Sequence, residues 1–211
     1  MLPEHKQGTS GARPRDRRID LDKRKFVAEM SLEEMRLQLL TSSVTGLPNR
    51  RAFEEAGPAP FVAISDLDGL KALNGYGYAV GDAVLRAKAD ALHDAGLEAY
   101  HDKGDEFLCR ANDPEDLLTR LERARRILAK RTIQTEQGDE TAVQVFGADF
   151  SYGIGHNMRE AEQRLRNQKA EREARGELAR GRLCHISVRK TEQSEAVPAV
   201  CPSQTVTSVT V

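Results

Sequence analysis

The chain has 211 residues, 39% of them hydrophobic and 31% charged, with Lys+Arg 32 against Asp+Glu 33 and a net charge of −1. This balance excludes a strongly basic nucleic-acid binder and exerts no general pull towards a membrane surface. No apolar run approaches the ~18 residues a bilayer span needs, and the N-terminus MLPEHKQGTS lacks the apolar core of a signal peptide, so a cytoplasmic protein is expected.

Residues 1–18 are rich in Gly, Pro and Arg without apolar periodicity and are expected to form a disordered basic arm. From residue 19 to about 41 the pattern becomes helical. Phe26, Met30, Leu37 and Leu40 recur at heptad-like spacing, with Glu33 interrupting the stripe. Such a helix either pairs with its copy in a dimer or packs on its own domain. A folded domain is expected over 42–186 and a disordered tail over 187–211.

Within the domain, Gly46 and Pro48 break the first helix, and Asn49 is placed to cap a short helix through Glu55. Phe61 to Ile64 reads as a buried strand that ends in Asp66-Leu67-Asp68. A Gly-rich stretch follows, then a helix with Val84, Leu85 and Leu92 on its apolar face. Residues 97–110 read as strand–turn–strand. Asp113-Pro114 starts a helix through about Lys130, with Leu117, Leu118, Leu121, Ile127 and Leu128 on one face. TIQTEQGDET reads as a polar connection. AVQVFGADFSYGIG reads as two β segments joined around Gly147, and a charged helix follows with Leu165 and Leu178 as its chief apolar residues. Strands alternating with helices predict an α/β or α+β sandwich in which helices cover a central, partly antiparallel sheet. Cys109, Cys184 and Cys201 are odd in number and widely spaced, which fits neither a disulfide framework nor a zinc site.

The chemistry concentrates in two places. Asp66-Leu67-Asp68 ends a strand, and Gly104-Asp105-Glu106 forms a hairpin tip. Adjacent strands would bring these carboxylates close together. Hard divalent cations need such oxygen clusters, and Mg²⁺ is commonly held by one or two carboxylates plus substrate phosphates. D-x-D and G-D-E are each weak signals alone. The order of the motifs strengthens them.

TGLPNRRAF, then DLDGLKALNGYGYAVGDAVL, then KGDEF, then SYGIG resembles the GGDEF domain family of diguanylate cyclases over about residues 40 to 175. The family pattern is LTGLPNRR, D-x-D-x-F-K-x-x-N-D-x-x-G-H-x-x-G-D-x-x-L, R-x-G-G-D-E-F and S-x-G. The resemblance implies a palm-like polymerase fold with a central, mostly antiparallel sheet flanked by helices. It also implies a homodimer in which two facing domains each hold one GTP and condense them into cyclic di-GMP with Mg²⁺ or Mn²⁺. Carried over by residue, Asp66 would bind the metals, with the Leu67 carbonyl assisting. Asp105 would be the second metal ligand, and Glu106 would organise the metals and the attacking hydroxyl. Lys71 and Lys169 would contact phosphates, and Asn74 and Asp82 would read the guanine edge. Gly104 would let the backbone approach the nucleotide. The family's Arg falls at Glu173, with Arg172 or Arg175 as possible substitutes. His101 is assigned no role.

The departures define the alternatives. Lys103 replaces the first Gly of the signature, Gly75 stands for Asp and Tyr78 for His. The R-x-x-D product-inhibition motif is absent, with Asp94 and Leu97 in its places. A cyclase making another cyclic (oligo)nucleotide, or an inactive module that binds nucleotide or protein, would fit the same fold.

Overall fold

The computed structural model describes residues 29–137, 141–178 and 185–190. The expected basic arm, the first part of the helix predicted from residue 19, Cys184, Cys201 and the chain from 191 lie outside the described residues. Within them the first helix, α1 (Leu32–Leu39), starts later than the heptad pattern suggested. Ser31 stops it: its hydroxyl accepts from Glu34 N, and the Glu34 carboxylate accepts from Ser31 N, a reciprocal cap. α1 buries no residue, and Leu32 and Leu39 remain exposed.

The remaining elements are α2 (Arg50–Glu55), β1 (Phe61–Leu67), α3 (Leu70–Asn74), α4 (Tyr78–Asp94), β2 (Glu98–Lys103), β3 (Glu106–Ala111), α5 (Pro114–Ala129), β4 (Ile133–Gln137), β5 (Thr141–Phe146), β6 (Phe150–Gly155), α6 (Met158–Ala174) and β7 (His185–Lys190). Local chemistry explains the starts predicted for α2 and α5. The Asn49 side chain accepts from Ala52 N, and the Asp113 carboxylate accepts from Glu115 N and Asp116 N, with Pro114 at the first helical position.

The main sheet has the order β2-β3-β1-β6, and every pairing in it is antiparallel. Strand alternation divides β1 between two cores. Ala63 and Leu67 face one way and pack with Phe107, Cys109, Phe150 and the apolar sides of α4 and α5. Val62 and Ile64 face the other way and pack with Leu108, Tyr100, Ala161 and Leu165. The sandwich expected from the alternating pattern is therefore present, with a mostly antiparallel central sheet and flanking helices.

Two strands were not anticipated. β4 and β7 flank β5 in a second antiparallel sheet, order β4-β5-β7. Ile133, Val143 and Val145 of that sheet join the main core. Residues 187–190, assigned from sequence to a disordered tail, thus belong to β7. β5 and β6 are not hairpin partners, because the turn at Gly147 (φ 68°) sends the chain from one sheet to the other.

α6 lies unusually close to β6, and glycine makes this possible. A Cβ at Gly153 would fall within contact of the α6 backbone, at Ala161 O and Leu165 N, and one at Gly155 would lie 2.6 Å from Ala161 N. Gly153→Ala is expected to cost about 3 kcal/mol or more, because backbone rather than a side chain would have to yield. Thermal unfolding reads the loss directly.

Candidate active site

Asp66, the last residue but one of β1, sits opposite Glu106, the first residue of β3, in the antiparallel register. Both occupy the α6-facing side of the sheet, by alternation with Ile64 and Leu108. Asp105 lies in the turn before β3. Its carbonyl oxygen accepts from Leu67 N at 3.0 Å, which closes the turn onto the end of β1. Gly104 takes φ 54°, the left-handed region that disfavours other residues. The three acids proposed from sequence thus share one end of the sheet.

Two lysines meet them. Lys169 of α6 places Nζ 2.6 Å from Asp66 Oδ1, and Lys103 places Nζ 3.7 Å from Glu106 Oε2. No group of three or more His, Cys, Asp or Glu side chains poised to hold a metal ion occurs among the described residues. The donors nevertheless suit a hard cation. Asp66 already holds a cationic group on a carboxylate oxygen, and Mg²⁺ needs only one or two carboxylates when phosphates supply the rest.

Asp68, the second acid of D-x-D, does something else. It is buried, accepts from Ser151 Oγ at 2.9 Å and pairs with Arg172 at 2.7 Å. The same guanidinium reaches Ser151 Oγ at 2.7 Å and Asp149 Oδ2 at 2.6 Å, and Arg125 grips Asp149 through two nitrogens at 2.8 and 2.7 Å. Burial pushes the Asp68 carboxyl above its ordinary value, against the pull of Arg172 and Ser151. Burial also works to raise Asp149, but the Arg125 bond and the two guanidinium charges hold it below. Arg172 is therefore committed to the core and does not stand in for the family's Arg. Arg175 pairs with Glu177 at 2.6 Å. Sequence reading missed this network. Its faint signals were Asp149 just ahead of S-x-G and an Arg three residues beyond Lys169.

Lys71 is exposed on α3, and Asn74 ends that helix. The Asn74 amide lies over Gly81, so close that a Cβ there would collide with Oδ1. Asn74 is thereby set against the first turn of α4, where Asp82 follows Gly81. Asp82 is inside the helix rather than capping it, since the N-cap is Gly77. The family pattern sets nine positions from this Asn to the Asp of G-D, whereas Asp82 follows Asn74 by eight, a shortening that the motif match concealed. Tyr78, in the place of the family His, is 80% exposed. Gly81→Ala is expected to displace the Asn74 amide. Nucleotide affinity should then fall about tenfold, the worth of a hydrogen bond or so, with little change in melting temperature. Titration with GTP and ATP measures it.

His101 has a holding role that the sequence did not reveal. Nε2–H donates to Gly104 O at 3.0 Å, and Nδ1 meets the Ser42 hydroxyl at 2.7 Å. Burial pushes the imidazole below its ordinary value, which favours the neutral ring these contacts require. The segment from Ser42 to Asn49 is thus fastened to the signature turn, helped by His101 N donating to Pro48 O at 2.8 Å.

No family model matches the sequence, and no curated protein matches it. Solved structures do match. Diguanylate cyclase SiaD of Pseudomonas aeruginosa, solved in complex with its activator SiaC, aligns at 25% identity with TM-score 0.51 over 66% of this chain and 63% of that one. The chain therefore spans less than two thirds of that structure. The GGDEF domain of TpbB (YfiN) from the same organism aligns at 20% identity with TM-score 0.52, over 62% of this chain and 89% of that one. The FimX GGDEF domain, also from Pseudomonas aeruginosa, aligns at 18% with TM-score 0.52, over 63% and 94%. The chain has the fold of these GGDEF domain structures, and the fold and the ordered motifs together support a divergent GGDEF-like domain.

Proposed function

We propose that the chain is a diguanylate cyclase that condenses two GTP into cyclic di-GMP and pyrophosphate. The register that sets Asp66 opposite Glu106, with Asp105 O tied to Leu67 N, supports this reading most directly. Asp66, Asp105 and the Leu67 carbonyl would hold Mg²⁺ or Mn²⁺. When bound, the ion supplies charge neutralisation at the α-phosphate and favours ionisation of the attacking 3′-hydroxyl. Lys169, released from Asp66 when a cation takes its place, is available to bind triphosphate oxygens, and exposed Lys71 adds a second positive charge. Asn74 and Asp82 offer amide and carboxylate groups to a guanine edge that has both acceptors and donors. Glu106 helps orient the 3′-hydroxyl. In each transfer the 3′-hydroxyl gives up its proton to solvent water, an O3′–Pα bond forms, the bond from Pα to the bridging oxygen breaks, and pyrophosphate leaves. Each copy of the chain would hold one GTP, so the active form is a homodimer with facing sites, to which α1 could add contact. No helix among the described residues is long and apolar enough to cross a membrane. A cytoplasmic setting belongs to the same proposal.

The lysine partners favour a second reading. With Asp66 on Lys169 and Glu106 on Lys103, the acids are already neutralised, as suits a module that binds nucleotide or a protein without turnover. Incubating the purified chain with Mg²⁺ or Mn²⁺ and each nucleoside triphosphate, singly and mixed, followed by mass spectrometry, decides between them. The cyclase reading predicts cyclic di-GMP from GTP alone. Another cyclic product would overturn the base assignment. Nucleotide binding without any product would establish the binding module.

A further inference from the structure

Lys88 is the fully buried charged side chain among the described residues, with 0% exposure in the middle of α4. Its Nζ donates to Asp105 O at 3.2 Å and lies 4.3 Å from the Phe107 ring centre and 4.9 Å from that of Phe150. No carboxylate comes within ion-pair distance of it among the described residues. Burying an ammonium without a counter-ion is costly, and ring faces return only part of the cost. The carbonyl it meets already accepts from Leu67 N, so main-chain satisfaction does not require the lysine. On the neighbouring strand, Ser65 pairs in register with Phe107, and its Oγ is the buried side-chain polar atom without a hydrogen-bond partner among the described residues. Folding alone would be better served by an apolar residue here.

We propose that Lys88 is a positioning residue that tethers the Asp105 turn to α4. α4 also carries Asp82, six residues earlier. The tether therefore sets the distance between the proposed base-reading helix and the turn that carries Asp105 and Glu106. Lys88 touches neither substrate nor metal; it acts through the Asp105 carbonyl. That this distance serves turnover rests on the cyclase reading, whereas the tether itself does not.

Leu67 N–H is the natural reporter, since it shares the Asp105 acceptor with Lys88. Lys88→Met keeps the length of the side chain between the two rings and removes the donor. Lys88→Gln keeps a donor without the charge. Amide hydrogen exchange of the full chain, without nucleotide, is compared with the helix-interior amides of Val84 and Leu85 as a gauge of global stability. In Lys88→Met, Leu67 protection should fall about tenfold relative to those amides, while the melting temperature stays level or rises. Lys88→Gln should recover part of the protection. Unchanged Leu67 protection, or a loss shared equally by Val84 and Leu85 in both variants, would overturn the tether. Turnover of GTP is followed in parallel. A fall in kcat with KM for GTP held, partly restored in Lys88→Gln, is expected. A wild-type chain with no turnover would overturn the cyclase reading while the exchange result still decides the tether.

Discussion

Asp66→Asn should lower cyclic di-GMP formation about 10³-fold, or about 4 kcal/mol of transition-state stabilisation, and leave the fold intact. The side chain is 14% exposed at the end of β1, and its one close partner among the described residues is the Lys169 ammonium at 2.6 Å. An amide of the same shape keeps a hydrogen-bond acceptor for that lysine, so folding loses little. It cannot supply the anionic oxygen a hard cation needs. Asp105→Asn should follow the same course, because the turn is held by the Asp105 backbone carbonyl rather than by its carboxylate. Initial rates with GTP, alongside circular dichroism of each variant, check both halves of the prediction. An active Asp66→Asn would remove Asp66 from the chemistry.

The opposite profile is expected at Arg172. Arg172→Met should cost about 3–5 kcal/mol of stability, because it removes one partner from a buried charge network. The guanidinium is 6% exposed and Asp68 is 3% exposed, so neither can turn to solvent. Ser151 and Arg125 would remain, but Arg125 reaches Asp149 and not Asp68. The pH dependence has a definite sign. Burial already raises the folded-state value of Asp68, and Arg172 is the foremost influence opposing that rise. Without Arg172, folded Asp68 holds its proton more strongly than the unfolded chain does. The Asp68 contribution to the variant's stability is therefore fully present below the ordinary carboxylate range and is lost as pH rises through the raised value. Denaturant unfolding at pH 5 and pH 8 should show the larger deficit at pH 8. An equal deficit at both would mean that Asp68 is not the group left unpaired.

Much of the main sheet was legible because its signals are local. The apolar run after Phe61 ends in acids, Gly104 marks a turn, and Asp113-Pro114 marks a helix start. Each is decided by residues within a few positions. The second sheet was not legible for the converse reason. TIQTEQ has one large apolar residue, Ile133, and its strand character depends on pairing with β5, whose Val143 and Val145 supply the buried face. β7 pairs with β5 across 39 to 49 residues, which no local pattern reports. The acids of the candidate site were found by motif order. Asp68 and Arg172, 104 residues apart, were not joined, because α6 is so rich in charge that a buried arginine looks like its exposed neighbours. Lys88 was there to be seen. It lies four residues after Val84 and four before Leu92, inside the apolar stripe of α4, where a lysine breaks the pattern.

Central to the proposed chemistry is a hard-cation site made by Asp66, Asp105 and the Leu67 carbonyl and completed by a nucleoside triphosphate. Titration of Mn²⁺ into the wild-type chain and into Asp66→Asn, with and without GTP and followed by electron paramagnetic resonance, tests it most directly. Weak Mn²⁺ binding alone, strong binding when GTP is present, and loss of that gain in Asp66→Asn are expected. Identical titrations for the two proteins in the presence of GTP would contradict it.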